Sequence, residues 1–218
     1  MKTKNLLKTL MALLFTVLPS IVSAQGDLAL FDLKGKVKQC TWVNHKAGCL
    51  QKGFSKTANK EVITFSQAGR CQKWNDILFA AQGRSGNALH NEIKRDAKGR
   101  TVYGSLYNGF YAPGSGEETF GYDAKGKLAK FTYEDAGAMV ETTFEYDAEG
   151  KMSSSISSIE DMMEDNTSKI TVTYQVQNTD AKGNWTKRLA KPSAGASWIE
   201  FRTIVYYQPV GGINLAHT

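Results

Sequence analysis

The sequence predicts an all-β fold, an antiparallel meander of hairpins that forms a twisted open sheet or a partly closed barrel. Two observations support this prediction: a short turn motif that recurs along the chain, and flanking segments in which apolar and polar residues alternate. Alternation with a period of two is typical of a strand with one buried face. Helical periodicity is scarce by the same test, and a short helix is expected only over 73–81.

The turn motif is Asp-x-x-Gly followed by a basic or polar residue. Its six copies, one of which begins with Ser, lie at 32–35, 66–69, 96–99, 123–126, 147–150 and 180–183. The side-chain oxygen at the first position accepts backbone hydrogen bonds, and Gly at the fourth position adopts a positive φ at little cost. This chemistry predicts a type I turn closed by a G1 bulge, which ends a hairpin. A calcium loop is the weaker interpretation, because calcium needs more oxygen ligands than one carboxylate in four residues supplies.

Strands are predicted on both sides of these turns. The segment 198–207 is apolar at most positions on both faces, so we expect it to lie inside the sheet. Two longer connections are predicted at 108–118, around Pro113, and at 157–168. The second connection carries an acidic cluster of Glu160, Asp161, Glu164 and Asp165. We interpret this cluster as a solvated loop, with a weak cation site as the alternative.

Two copies of the motif extend to a longer pattern. They read Tyr122-Asp-Ala-Lys-Gly-Lys-Leu128 and Tyr146-Asp-Ala-Glu-Gly-Lys-Met152. These segments resemble the YD repeat of RHS-type proteins, whose pattern is Tyr-Asp-x-x-Gly-Arg-Leu. RHS proteins wind such repeats into shells around a toxin domain, whereas this chain is too short for a shell. The resemblance implies a small bacterial envelope protein built from YD-like hairpins, and it implies no function.

The first 24 residues have the pattern of a secretory signal peptide. Three lysines precede an apolar run over 11–22, and the small residues Val22 and Ala24 fit the site that a signal peptidase reads. The run is short and broken by Pro19, so it does not reach the length of a transmembrane helix. We therefore expect residues 25–218 to form a single β-meander domain without a transmembrane segment, exported to the periplasm or outside the cell.

Removal of the signal segment changes the charge of the chain. The segment carries three of the 27 basic residues and none of the 21 acidic residues, so the formal net charge falls from +6 to 24 − 21 = +3. Both signs are interspersed along the remaining chain. Because no basic face is indicated, nucleic acid is excluded from the expected partners.

The three cysteines, Cys40, Cys49 and Cys71, lie close together in the sequence. An exported chain meets an oxidising compartment, so one disulfide is expected and one thiol is left over. The connectivity does not follow from the sequence, but the strand pattern favours Cys40 with Cys71 because Cys49 falls in a loop rich in Gly and Lys. The spacing lacks the close Cys pairs of zinc modules, so we expect no metal and no other cofactor.

Aromatic residues in or beside loops are the candidate binding residues. They are Tyr103, Tyr107, Phe110, Tyr111 and Trp185. Aromatic rings suit sugars and peptides, although the same rings also fill small β cores. No catalytic motif is found, and paired carboxylates from distant strands would leave no spacing signature. We therefore expect an exported, non-catalytic envelope binding or scaffold protein for a glycan or peptide. The alternatives are an envelope hydrolase acting on glycans, and a module that binds a protein through an exposed strand edge.

Overall fold

A computed structural model describes residues 26–46, 59–72, 90–106 and 116–208. In these ranges the chain forms one 3₁₀ helix and eleven strands. They are η1 Gly26–Phe31, β1 Val37–Lys46, β2 Asn59–Thr64, β3 His90–Arg95, β4 Thr101–Leu106, β5 Gly116–Tyr122, β6 Leu128–Glu134, β7 Ala138–Tyr146, β8 Met152–Asp161, β9 Asn166–Thr179, β10 Trp185–Pro192 and β11 Trp198–Tyr206. The predicted antiparallel meander of hairpins is confirmed, in the form of a sheet that is not closed.

The sheet has the strand order β2-β1-β11-β10-β9-β8-β7-β6-β5-β4-β3. From β3 to β11 each strand pairs with the next one along the chain, and β11 then returns beside β1, with Trp42 opposite Arg202. The expected inner position of the last strand is confirmed, because β11 lies between β1 and β10. The two edges are β2 and β3, which follow one another in the sequence.

Five of the six motif copies form the predicted turns. In the copies that begin at 66, 96, 123, 147 and 180, the glycine N–H donates to the carbonyl of the first residue, whose N–H donates to the carbonyl of the fifth. The five glycines have φ between 72° and 83°. The copy at 32–35 is different, because Asp32 itself has a positive φ and the segment joins η1 to β1. No strand precedes this copy in the described residues, so the hairpin prediction is wrong there.

In the two copies with a tyrosine before the turn, this tyrosine connects the hairpin to the preceding one. The Tyr122 hydroxyl donates to the carbonyl of Thr101 at 2.8 Å, and its ring centre lies 4.1 Å from the guanidinium carbon of Arg100. The same arrangement recurs with Tyr146, Leu128 and Lys127. Arg100 and Lys127 each follow a turn glycine, so the longer pattern encodes contacts between hairpins as well as the turn itself.

Some predicted connections are strands. β8 runs to Asp161 and β9 begins at Asn166, so the loop predicted over 157–168 is reduced to a turn at 162–165. The second half of β8 and the start of β9 are mostly polar, which hid their strand character in the sequence. In the part of the chain that the structure describes, no group of three or more His, Cys, Asp or Glu side chains could hold a metal ion. The helix predicted at 73–81, most of the 108–118 connection and the signal segment lie outside the described residues.

The buried face of the sheet packs against η1, whose six residues are all buried. We call the main group of buried apolar side chains the apolar core cluster. It consists of Leu28, Leu30, Phe31, Leu33, Val37, Cys40, Ile63, Phe65, Cys71, Phe120, Leu128, Phe131, Tyr133 and Val140. These residues come from η1 and the segment after it, from β1 and β2 with the turn that follows, and from β5 to β7. Within the described ranges, no helix has the length and apolar character needed to cross a membrane.

Asp27 of η1 connects the two ends of the sheet. Its fully buried carboxylate accepts hydrogen bonds from the Cys71 N–H at 2.8 Å and from Arg95 Nη1 at 2.6 Å. The Thr101 N–H and hydroxyl donate to the same carboxylate at 3.1 Å and 2.8 Å. Cys71 flanks β2 and Arg95 ends β3, so the sheet must roll until its two edges approach each other at this end. The helix η1 bridges the gap between them.

The predicted disulfide between Cys40 and Cys71 is not formed in the structure. Cys40 pairs with Ile63 of β2 across the β1–β2 ladder, whereas Cys71 pairs with Phe65 on the other side of that chain segment. A strand therefore lies between the two cysteines, which corresponds to about 10 Å at the usual strand spacing. A disulfide requires Cα atoms within about 7 Å. Cys49 lies outside the described residues.

Candidate binding site

Two of the five predicted binding residues, Tyr103 and Trp185, lie in the described part of the chain. Tyr103 is half-buried on β4, with Lys94 Nζ 4.5 Å from its ring centre. Trp185 begins β10 and is only 1% exposed, so its ring does not face solvent. The strands β5 to β9 separate these two residues, and they do not form a common surface. Tyr107, Phe110 and Tyr111 lie outside the described residues.

Trp185 belongs to a second buried group of side chains, which we call the aromatic–arginine cluster. Its members are Trp42, Tyr174, Trp185, Arg188, Glu200 and Arg202. The register of the sheet places them together, because Trp42 is opposite Arg202 and Arg188 is opposite Glu200. Residues opposite each other, or two apart on one strand, point to the same face of a sheet.

Arg202 lies in a corner between two indole rings. Its guanidinium carbon is 3.6 Å from the ring centre of Trp185 and 4.5 Å from that of Trp42, and the two rings meet at 78°. Such cation–π contacts contribute about 2 kcal/mol each when they are shielded from water. Burial lowers the pKa of Arg202 to about 10, so the guanidinium keeps its charge at neutral pH.

Arg188 has an ion-pair partner, whereas Arg202 has none among the described residues. Its Nε donates to Glu200 Oε2 at 2.5 Å, and its guanidinium carbon lies 4.0 Å from the ring centres of both Tyr174 and Trp185. The other carboxylate oxygen of Glu200 accepts a hydrogen bond from Trp198 Nε1 at 2.8 Å. The two arginines and the glutamate leave the cluster with a formal charge of 2 − 1 = +1.

Four N–H donors of the cluster are buried without a hydrogen-bond partner among the described residues. They are Trp42 Nε1, Trp185 Nε1, and Nε and Nη1 of Arg202. A buried donor that makes no hydrogen bond costs about 1–3 kcal/mol, and a charged one costs more. Nearly all buried polar groups in proteins find a partner, in the protein, in water or in a ligand. The concentration of such donors makes this cluster the candidate binding site.

Arg188 and Arg202 are not among the residues that the sequence patterns single out. Charged residues on strands normally face solvent, so a sequence pattern gives no reason to place them inside. One signal was present, because Glu200 and Arg202 alternate on a strand that is apolar enough to be internal on both faces. Because residues two apart share a face, a strand that is internal on both faces buries both of these charges.

A surface groove lies between the turns at 123–126 and 147–150, with a volume of about 530 Å³. Lys127 lines this groove, and its ammonium binds the Asp32 carboxylate and the Gly150 carbonyl, each at 2.7 Å. Lys127 therefore holds the segment after η1 against the turns.

A further buried carboxylate supports the fold. Asp135 accepts hydrogen bonds from the Tyr133 hydroxyl and from the backbone N–H groups of Gly137 and Ala138. These bonds close the turn between β6 and β7. Asp27 acts similarly where η1 bridges the edges β2 and β3, a place we call the seam of the sheet. Both carboxylates therefore have structural partners.

No protein-family model matches this sequence, and a search of curated proteins finds no significant match. The resemblance to YD repeats therefore rests on the turn and tyrosine pattern.

Proposed function

We propose that the protein is an exported, non-catalytic binding protein of the bacterial envelope, and that the aromatic–arginine cluster is its binding site. The observation that carries this proposal is the set of four buried N–H donors without partners around the Arg202 guanidinium. Replacing buried ionic groups by apolar side chains is often neutral or stabilising. A structural role alone therefore gives little reason to bury two arginines here.

The surroundings of Arg202 also suit a ligand. Aromatic rings with a few directed polar groups are the usual lining of small-molecule sites. The helix η1 covers the end of the sheet where the Asp-x-x-Gly turns lie, so we expect a ligand to approach from the opposite end. Trp198 lies at that end, is half-buried, and is linked to the cluster through Glu200.

The test is a calorimetric screen of glycans and peptide fragments on the purified protein. We expect saturable binding of at least one ligand and weaker binding to the Trp185→Phe variant, which keeps an aromatic ring but loses the indole N–H. Tyr122→Phe on β5, whose contacts are with Thr101 and Arg100 outside the cluster, is the control and should bind like the wild type. Equal affinity of the Trp185→Phe variant would place the ligand elsewhere and contradict the proposal.

The open sheet supports a second candidate function, a module that pairs with a strand of a partner protein. Among the described residues, no strand pairs with the outer sides of β2 and β3, and Val62 on β2 is 47% exposed. A Val62→Pro variant removes one edge N–H group and should weaken partner capture without changing ligand affinity. If partner capture is unaffected, β2 is not the interface.

A further inference from the structure

We propose that the aromatic–arginine cluster binds a ligand through a carboxylate that Arg202 receives, the carboxylate being that of a sugar acid or of a peptide C-terminus. This inference rests on the proposed function and names the chemical class of its ligand. Sugar acids and peptide C-termini share this chemistry, since each carries one carboxylate next to a hydroxyl or amide donor.

The unpartnered atoms define the complement that a ligand must supply. Four of them are N–H donors on Trp42, Trp185 and Arg202, so the ligand must offer acceptors. A fifth is an acceptor, Asn44 Oδ1, which is also buried and lies two positions from Trp42 on β1. The sixth, Arg100 Nη1, follows the turn at 96–99 and does not belong to the cluster. Residues two apart on a strand share a face. A carboxylate group with a neighbouring O–H or N–H matches four donors and one acceptor.

The charge of the cluster favours a single negative charge. Arg188 and Glu200 neutralise each other at 2.5 Å, which leaves the Arg202 charge in excess. Asp32 also acts on Arg202 electrostatically, but Asp32 is ion-paired with Lys127 at 2.7 Å. A carboxylate carries one negative charge and balances the excess, whereas a phosphate group carries about −1.5 to −2 and would exceed it.

The position of the rings adds directionality. The indoles of Trp42 and Trp185 cover two sides of the guanidinium, so an acceptor has to meet its N–H groups at the sides that remain. Hydrogen bonds between ionised groups are shorter and about twice as strong as neutral ones, and a low local dielectric strengthens them further. The ring faces can contact the apolar part of the same ligand.

The experiment is isothermal titration calorimetry of the purified protein with matched pairs of probes. Glucuronate is compared with glucose, and a short peptide with a free C-terminus is compared with the same peptide carrying a C-terminal amide. We expect the acid of at least one pair to bind at least about tenfold more tightly than its neutral partner, the usual contribution of a charge-assisted hydrogen bond. The pair that responds identifies the source of the carboxylate.

Three variants identify the residue responsible. Arg202→Met removes the charge and should abolish the preference for the acid. Lys187→Met removes the same charge from the opposite face of β10, and should leave the preference within about twofold of the wild type. If Arg202→Met does not fold, Arg202→Lys keeps a charge but loses the Nε donor, and should weaken the preference. A variant of Arg202 as selective as the wild type would overturn the inference.

The remaining outcomes separate the inference from the proposed function. Equal binding of acid and neutral probes, sensitive to Trp185→Phe, would overturn the carboxylate assignment while the binding function stands. Binding of inorganic phosphate without binding of either carboxylate would also overturn the assignment. Absence of binding by any probe, including the glycan and peptide screen, would overturn both.

Discussion

The apolar core cluster and the aromatic–arginine cluster share the buried side of one sheet, and they are built differently. Beneath β5 to β7, apolar side chains and η1 fill the interior. Beneath β9 to β11, two arginines and a glutamate are buried among aromatic rings. The first region lowers the free energy of the folded state through packing. The second raises it by burying a charge that packing does not require. Burial alone therefore does not identify the role of a residue. The change in the free energy of unfolding on substitution does, because it should be a large loss in the first region and near zero, or a gain, in the second.

The largest effect is expected in the apolar core cluster. Phe131 is 2% exposed and packs against Phe120 with ring centres 5.5 Å apart. Phe131→Ala leaves a cavity and should lower the free energy of unfolding by about 3–5 kcal/mol, measured in urea. A loss below about 1 kcal/mol would mean that this region is not the packed core.

The next largest effect is expected at the seam. Asp27→Asn keeps the size of the side chain but leaves Arg95 without its carboxylate partner, so the free energy of unfolding should fall by about 2–3 kcal/mol. Asp147→Asn, in an exposed turn where the side chain accepts only the Lys151 N–H among the bonds described, is the matched control. Equal losses in both variants would show that the seam is no more important than a surface turn.

Alkaline pH should weaken the fold through its tyrosines. Burial raises the pKa of Tyr122, Tyr146 and Tyr206 well above the ordinary value of 10.0. The stabilisation is complete below pH 10 and is lost as the pH rises further, because the unfolded tyrosines ionise first. The lowered pKa of Arg202 raises the stability above pH 10, because the folded arginine loses its proton more easily than the unfolded one. This single group opposes three tyrosines, so a net decline is expected. Urea unfolding on both sides of pH 10 measures the decline, and a rise in stability would contradict it.

A smaller effect is expected from one tyrosine hydroxyl. Tyr122→Phe keeps the ring beside Arg100 and loses the hydrogen bond to the Thr101 carbonyl, so the free energy of unfolding should fall by about 1 kcal/mol. The variant should also lose part of the alkaline decline. Tyr103→Phe is the control, because Tyr103 pairs with Thr119 and so lies on the opposite face of the sheet. A similar loss there would argue against the contact between hairpins.

The smallest effect is expected for Arg202→Met. Two cation–π contacts are lost, worth about 2 kcal/mol each, while the cost of an unpaired buried charge, several kcal/mol, is removed. The free energy of unfolding should therefore change by less than about 1 kcal/mol, or rise. A loss as large as that of Phe131→Ala would show that Arg202 acts as ordinary core.

The meander was predictable because its turns are local. Asp and Gly at fixed positions specify a turn within five residues, and Tyr122 and Tyr146 add contacts to the neighbouring hairpin. The copy at 32–35 shows the limit of this reasoning, since the same residues without a preceding strand make no hairpin. Asp27 was not predictable, because its donors lie 44 to 74 residues away in the sequence.

The candidate site was predictable only in part. Trp185 was a candidate in the sequence because it follows a turn glycine. In the structure it belongs to the candidate site for another reason, because its ring contacts Arg188 and Arg202. The pairing of β1 with β11 brings Trp42 to the same place across 160 residues of sequence. Strand pairing at that distance leaves no local pattern in the sequence. The cluster depends on this pairing, so the sequence gives no pattern for the cluster either.

The pairing of β1 with β11 also sets the order in which the protein folds. The hairpins from β3 to β10 can form as soon as each is made, because their contacts are local. The inner strand β1 has to wait for residues 198–206, the last strand of the sheet. A chain that emerges N-terminus first therefore holds β1 without one of its partners until β11 has emerged. Contacts of such long range form slowly and expose unpaired edges in the meantime, which makes β1 the segment that a chaperone would have to protect.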